Sequence, residues 1–119
     1  EYVEHSKCEL SSKVIFDPIQ NSNLCLLKTT HEGMSIELIE PLNEKSTTHN
    51  FLKKNGNSFH HICYEIDDET SFNDYIKIHN LKRILGPVPA VLFDNKHVVF
   101  TYSKVQGIVE FLFNKGYNG

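Results

Sequence analysis

Short apolar runs bounded by turn residues mark much of this chain as strand, and only two stretches read as helix. Residues 8–16 read as a loose strand closed by the Asp17-Pro18 turn signal, and Leu24-Cys-Leu-Leu-Lys-Thr-Thr30 as a clearer one. His31-Glu32-Gly33 then predicts a short turn into a strand over residues 34–40, so these two strands should form a hairpin. Pro41 ends that run. In the polar connector that follows, Ser46 or Thr47 can cap a short helix through Phe51-Leu52-Lys53-Lys54, and Asn55-Gly56 supplies its left-handed stop.

The pattern starts afresh at residue 60. Residues 60–66 predict a strand, and Asp67 or Asp68 caps a helix running to about Leu81. Phe72, Tyr75, Ile76 and His79 fall at three- and four-residue spacing on that helix, an apolar stripe that should lie on a sheet. Past Gly86-Pro-Val-Pro89, residues 90–93, 96–102 and 108–113 are strand-like, with Asp94-Asn95 and Gln106-Gly107 between them. The second half therefore reads strand, helix, three strands. The first half shows three strands without the strand and helix that should precede them.

Two of these strands carry a lone carboxylate in an apolar run: Glu37 in Met34-Ser-Ile-Glu-Leu-Ile39, and Glu110 in Ile108-Val-Glu-Phe-Leu-Phe113. A buried ionised carboxylate must be paired, neutralised or bound to a cation. Strand parity puts His60, Ile62, Tyr64 and Ile66 on one face, under the helix, and His61, Cys63 and Glu65 on the other. Glu37 shares its face with Ser35 and Ile39, and Glu110 with Ile108 and Leu112. If those faces line one concave sheet, His61, Glu37 and Glu110 converge, and one imidazole with two carboxylates suits a divalent metal. The plainer reading of both carboxylates is an edge-strand acid leaning into water or onto a lysine. Of the other histidines, His60 is taken as structural, His31 and His97 as solvated turn residues, and His49 and His79 as partly exposed helix residues. Cys63 is expected to be a small core residue.

At 119 residues the chain is expected to be a single domain with a real core, and 39% hydrophobic against 23% charged residues excludes a disordered one. The net charge is −3 and the longest basic runs are the pairs Lys53-Lys54 and Lys82-Arg83, which argues against a nucleic-acid partner. No apolar stretch approaches the roughly 20 residues that span a bilayer, and no signal peptide is read, so no membrane partner is expected. Three cysteines, each in or beside a strand-like run, are expected as reduced thiols in a cytoplasmic protein.

Five stretches then carry a resemblance. Ile36-Glu-Leu-Ile-Glu-Pro-Leu-Asn-Glu-Lys-Ser46, Phe51-Leu-Lys-Lys-Asn-Gly56 and His60-His-Ile-Cys-Tyr-Glu-Ile-Asp-Asp68 resemble the central segment of the methylmalonyl-CoA epimerase family. Val98-Val-Phe-Thr-Tyr102 and Gly107-Ile-Val-Glu-Phe-Leu112 resemble its last two strands. That family belongs to the vicinal oxygen chelate superfamily, with glyoxalase I, bleomycin-resistance proteins and extradiol dioxygenases. The likeness covers most of residues 34–113; residues 1–30 match only in general character.

The resemblance implies an α+β fold of paired βαβββ modules forming an open curled sheet, the first module lacking its opening strand and helix. It divides the chain into a partial first module over 1–40, a connector over 41–58 and a second module over 59–119. A chain trimmed at its start is the expectation, since loss of an inner strand would expose a long unpaired edge. Glu37, His61 and Glu110 fall on family ligand positions for one divalent ion, Co²⁺, Mn²⁺, Ni²⁺ or Zn²⁺, and Glu110 on the one that also accepts the proton. The fourth family ligand, a histidine on the opening strand, has no counterpart, because Val3-Glu-His-Ser6 does not match its context.

The activity implied is that of a metal-dependent isomerase, epimerase or lyase stabilising an enolate beside a carbonyl, the substrate an acyl-CoA thioester and the protein a homodimer. A second acid-base glutamate, expected near residues 21–27, is absent from that stretch. That absence favours the alternative, a non-catalytic small-molecule-binding protein of the same fold. An iron-dependent ring-cleaving dioxygenase would want two histidines and one glutamate, and fits less well.

Overall fold

Strand alternation in the sequence becomes two open sheets, one in each of two units spanning residues 1–58 and 59–119. The computed structural model describes residues 8–30 and 34–115. Eight strands and two α-helices among them make the mixed α+β fold of paired βαβββ modules.

In the first unit β3 (Ser22–Lys28) is central. It pairs along its length with β4 (Ser35–Pro41), Leu24 facing Ile39 and Leu26 facing Glu37. Its other edge takes two short antiparallel pieces, β1 (Glu9–Leu10) and β2 (Ile15–Asp17). The loose strand expected over residues 8–16 is thus one interrupted edge strand. At the break, Ser11 and Ser12 both donate their N–H to the Leu26 carbonyl, and Ser12 Oγ accepts from Leu26 N–H at 2.8 Å. The ladder therefore stays satisfied across the bulge. Cys8, Cys25 and Leu27 form a small core on one face, joined by Ile36 and Leu38. The turn expected at 31–33 lies outside the described residues. Helix α1 (His49–Asn55) follows the connector, and Gly56 at its end takes φ +66°, as the Asn-Gly stop predicts. Among the described residues this unit holds no strand and helix ahead of its three-stranded ladder.

The second unit is a complete strand–helix–three-strand module, in the order β5 (Ile62–Ile66), β8 (Gly107–Phe113), β7 (Lys96–Ser103), β6 (Lys82–Ala90). β5 runs parallel to β8, and the other pairs are antiparallel. Helix α2 (Glu69–Ile78) crosses between β5 and β6, capped by Asp68, whose Oδ1 accepts from Ser71 N–H at 2.8 Å. Its buried anchor, Phe72, meets Phe111 and Phe113 edge-on at 5.3 Å each, with Val99, Val109 and Leu81 completing the core on that face. Burying one such ring contributes about 1.5–3 kcal/mol. Among the described residues no helix is long and apolar enough to cross a membrane.

The structure departs from the sequence pattern at residues 82–93 and at His97. Residues 82–90 form a strand although they contain Gly86, Pro87 and Pro89, and residues 91–93 form a single 3-10 turn instead of the expected strand. β6 lies at the end of the sheet order and pairs with β7 alone, so its prolines cost no hydrogen bond on the outer side. His97 lies within β7, half-buried, rather than in a solvated turn.

Candidate metal centre

β8 alternates strictly. Val109, Phe111 and Phe113 face α2, while Ile108, Glu110 and Leu112 face the other way. That second face is apolar, built on Ala90, Val98, Phe100 and Leu112, with Leu85, Val88, Phe93 and Ile108 around them. Glu110 sits among these side chains only 3% exposed. A carboxylate there needs a partner, and His61 supplies one: its Nε2 lies 2.9 Å from Glu110 Oε1, with the imidazole side chain itself 7% exposed.

His61 stands just before β5, and the parallel pairing of Cys63 with Glu110 sets the two strands in the register that lets its ring reach across. Two rings hold it. Phe100 of β7 packs against it at 5.3 Å between centroids and 74° between planes. His60 meets it edge-on at 86°, the two Nδ1 atoms 2.8 Å apart. Burial, and next the charge of His61, hold the His60 imidazole down to a pKa of about 4, so it is neutral at neutral pH.

His60 was expected under the helix by parity, yet it turns toward its neighbour. The ladder begins only at Ile62, so residues 60 and 61 are not bound to strand alternation. The adjacent His-His pair was the signal available in the sequence. Cys63, expected in the core, is exposed, whereas Cys8 and Cys25 are buried.

Within the second unit the structure brings His61 and Glu110 together. Glu37 belongs to the first unit, half-buried on β4 opposite Leu26, on the face away from Cys25, Leu27, Ile36 and Leu38. The His61–Glu110 donor set fits a divalent ion. Metal bonds of roughly 2.1 Å at right angles put neighbouring donor atoms about 3 Å apart, close to the 2.9 Å seen here.

A sequence profile of the glyoxalase/bleomycin resistance protein/dioxygenase superfamily matches residues 6–100. The chain belongs to this superfamily. It is 40% identical over 74 residues to the mitochondrial methylmalonyl-CoA epimerase of Dictyostelium discoideum, a match covering 61% of this chain and 44% of that protein. It is 36% identical over 76 residues to the ethylmalonyl-CoA/methylmalonyl-CoA epimerase of Cereibacter sphaeroides, covering 63% and 57%. The chain thus spans about half the length of the curated relatives it matches.

Among solved structures, a hypothetical protein from Bacillus halodurans superposes with a TM-score of 0.78 at 26% identity, covering 99% of this chain and 84% of the other. The methylmalonyl-CoA epimerase of Mycobacterium tuberculosis superposes at 0.77 and 18% identity, covering 94% and 75%, a likeness of fold.

Proposed function

We propose that this chain is a metal-dependent isomerase of the epimerase type, acting on the carbon beside the thioester carbonyl of an acyl-CoA. The observation that carries the reading is the His61–Glu110 pair, 2.9 Å apart on the apolar face of the second sheet. The names of the two relatives support the substrate class. Glu37 enters the ligand set on the family pattern, as the counterpart of Glu110 closing the first module. The domain plan of a partial module over 1–40, a connector over 41–58 and a second module over 59–119 is part of the same reading.

When bound, a divalent ion of the Co²⁺, Mn²⁺, Ni²⁺ or Zn²⁺ kind supplies Lewis acidity at the substrate carbonyl, where negative charge develops as the α-proton leaves. The chain does the rest. His61 offers Nε2 as a neutral ligand atom, and Phe100 fixes the plane of its ring. Glu110 serves as ligand and takes the α-proton on a carboxylate oxygen. Apolar side chains around it, Leu112 and Phe100 foremost, keep bulk water away and strengthen each charge interaction. The reading also includes a homodimer and a cytoplasmic setting.

One feature favours a second reading, a binding protein of the same fold: β3 holds no Asp or Glu to reprotonate the opposite face. Incubating the full-length protein with methylmalonyl-CoA in deuterium oxide separates the two. The enzyme incorporates one deuterium at the α-carbon, read by mass, and a binder incorporates none at any metal loading.

A further inference from the structure

Resting on the metal reading above, we propose that His60 is the positioning residue of the centre, accepting a hydrogen bond from His61 Nδ1–H so that His61 Nε2 is held toward the ion. The geometry requires a proton between the two rings, because two imidazole lone pairs facing each other at 2.8 Å repel. A neutral imidazole carries one N–H. Once His61 Nε2 gives its lone pair to a cation, that one proton can sit only on Nδ1. His61 is then the donor, and His60 must present Nδ1 bare and carry its own proton on Nε2.

The contact has the form that fixes metal-bound imidazoles elsewhere: the nitrogen away from the metal is tied to an acceptor, which sets tautomer and ring orientation. Here the acceptor is the preceding residue in the chain. It can reach because both histidines precede the β5 ladder, so neither is committed to a sheet face. Phe100 packs edge-on against the His61 ring and offers no acceptor of its own. The His61 side chain is only 7% exposed, so a hydrogen bond from its Nδ1–H to His60 is made largely away from water.

The test uses Zn²⁺ as a diamagnetic probe on the full-length protein. Long-range proton–nitrogen spectra of the loaded wild type should show His61 protonated at Nδ1, with that proton shifted downfield and coupled to His60 Nδ1. His60→Leu fills the volume without an acceptor and should weaken Zn²⁺ binding about 10–100-fold. His60→Asn places Oδ1 where Nδ1 stands and should restore affinity close to the wild-type value, which a merely space-filling role would not do.

Equal Zn²⁺ affinity in wild type and His60→Leu, or His61 protonated at Nε2 in the loaded wild type, overturns the assignment and leaves the metal reading standing. No Zn²⁺ uptake by wild type overturns the metal reading and this assignment with it. Should His60→Leu fail to fold, the wild-type spectrum decides alone.

Discussion

Glu110 is held in place by opposing demands: its neighbours on β8 and β7 exclude water, and its charge requires a partner. His61 meets that requirement. Substituting Glu110→Gln keeps the shape and an acceptor oxygen while removing the charge. We expect a stability change of no more than about 1–2 kcal/mol in urea titration, because a hydrogen bond to His61 survives. On the metal reading, affinity for the ion should by contrast fall about 100-fold or more, since that reading makes Glu110 a ligand rather than a ligand's support. The face that Glu110 takes was legible in the sequence. A single acid inside an apolar alternation marks a face, and parity gave Glu110 the neighbours Ile108 and Leu112 that the structure shows. His60 was not legible in the same way, because the start of a ladder depends on pairing partners dozens of residues away.

Among the elements, β6 shows most clearly where local signals mislead. Gly86, Pro87 and Pro89 are strand breakers on local grounds, yet the segment pairs with β7 from Lys82 to Ala90 with two irregularities in register. Tertiary pairing overrides propensity at an edge where one side needs no donors. Gly86 itself is required. It has φ +101°, and a Cβ there would lie 2.5 Å from the Val98 carbonyl oxygen. Gly86→Ala should therefore cost on the order of 3 kcal/mol, read as a shift in the urea midpoint, from left-handed strain plus a backbone clash.

Helix α2 was more predictable, because its cap and stripe are local. The helix was expected to run to about Leu81, but it ends at Ile78, with His79 as its cap and Asn80 at φ +52°. The Ser71 N–H bonded to Asp68 holds that carboxyl below its usual 3.8. A depressed folded pKa means the cap's contribution is complete above the unfolded value and is lost as pH falls through the folded one. Asp68→Ala should lower the thermal midpoint at pH 7 and lose that deficit relative to wild type in acid below the unfolded pKa. Asp68→Asn, which still caps, should differ little from wild type at pH 7, and its midpoint should not carry this acid dependence.

For the whole molecule, the repeat of a three-strand ladder in both halves was visible from the sequence because each half carries a series of apolar runs separated by turn residues. The superfamily profile and the two superpositions agree with that architecture. What the sequence did not supply was the interrupted first edge strand, whose break at Ser11 and Ser12 depends on hydrogen bonds to Leu26 from across the ladder. On the metal reading, folding and ion binding are linked. An ion present at 100 times its dissociation constant should stabilise the native state by about 2.7 kcal/mol, seen as a rise in thermal midpoint that chelation reverses.

The most direct measurement is the metal content of the full-length protein after equilibrium dialysis against Zn²⁺ or Co²⁺, for wild type and for Glu110→Gln and His61→Ala. Wild type should hold one ion tightly per chain and both variants should lose it almost entirely, with folding intact by circular dichroism. Folded variants that retain wild-type metal content, or a folded wild type that takes up none, would contradict it.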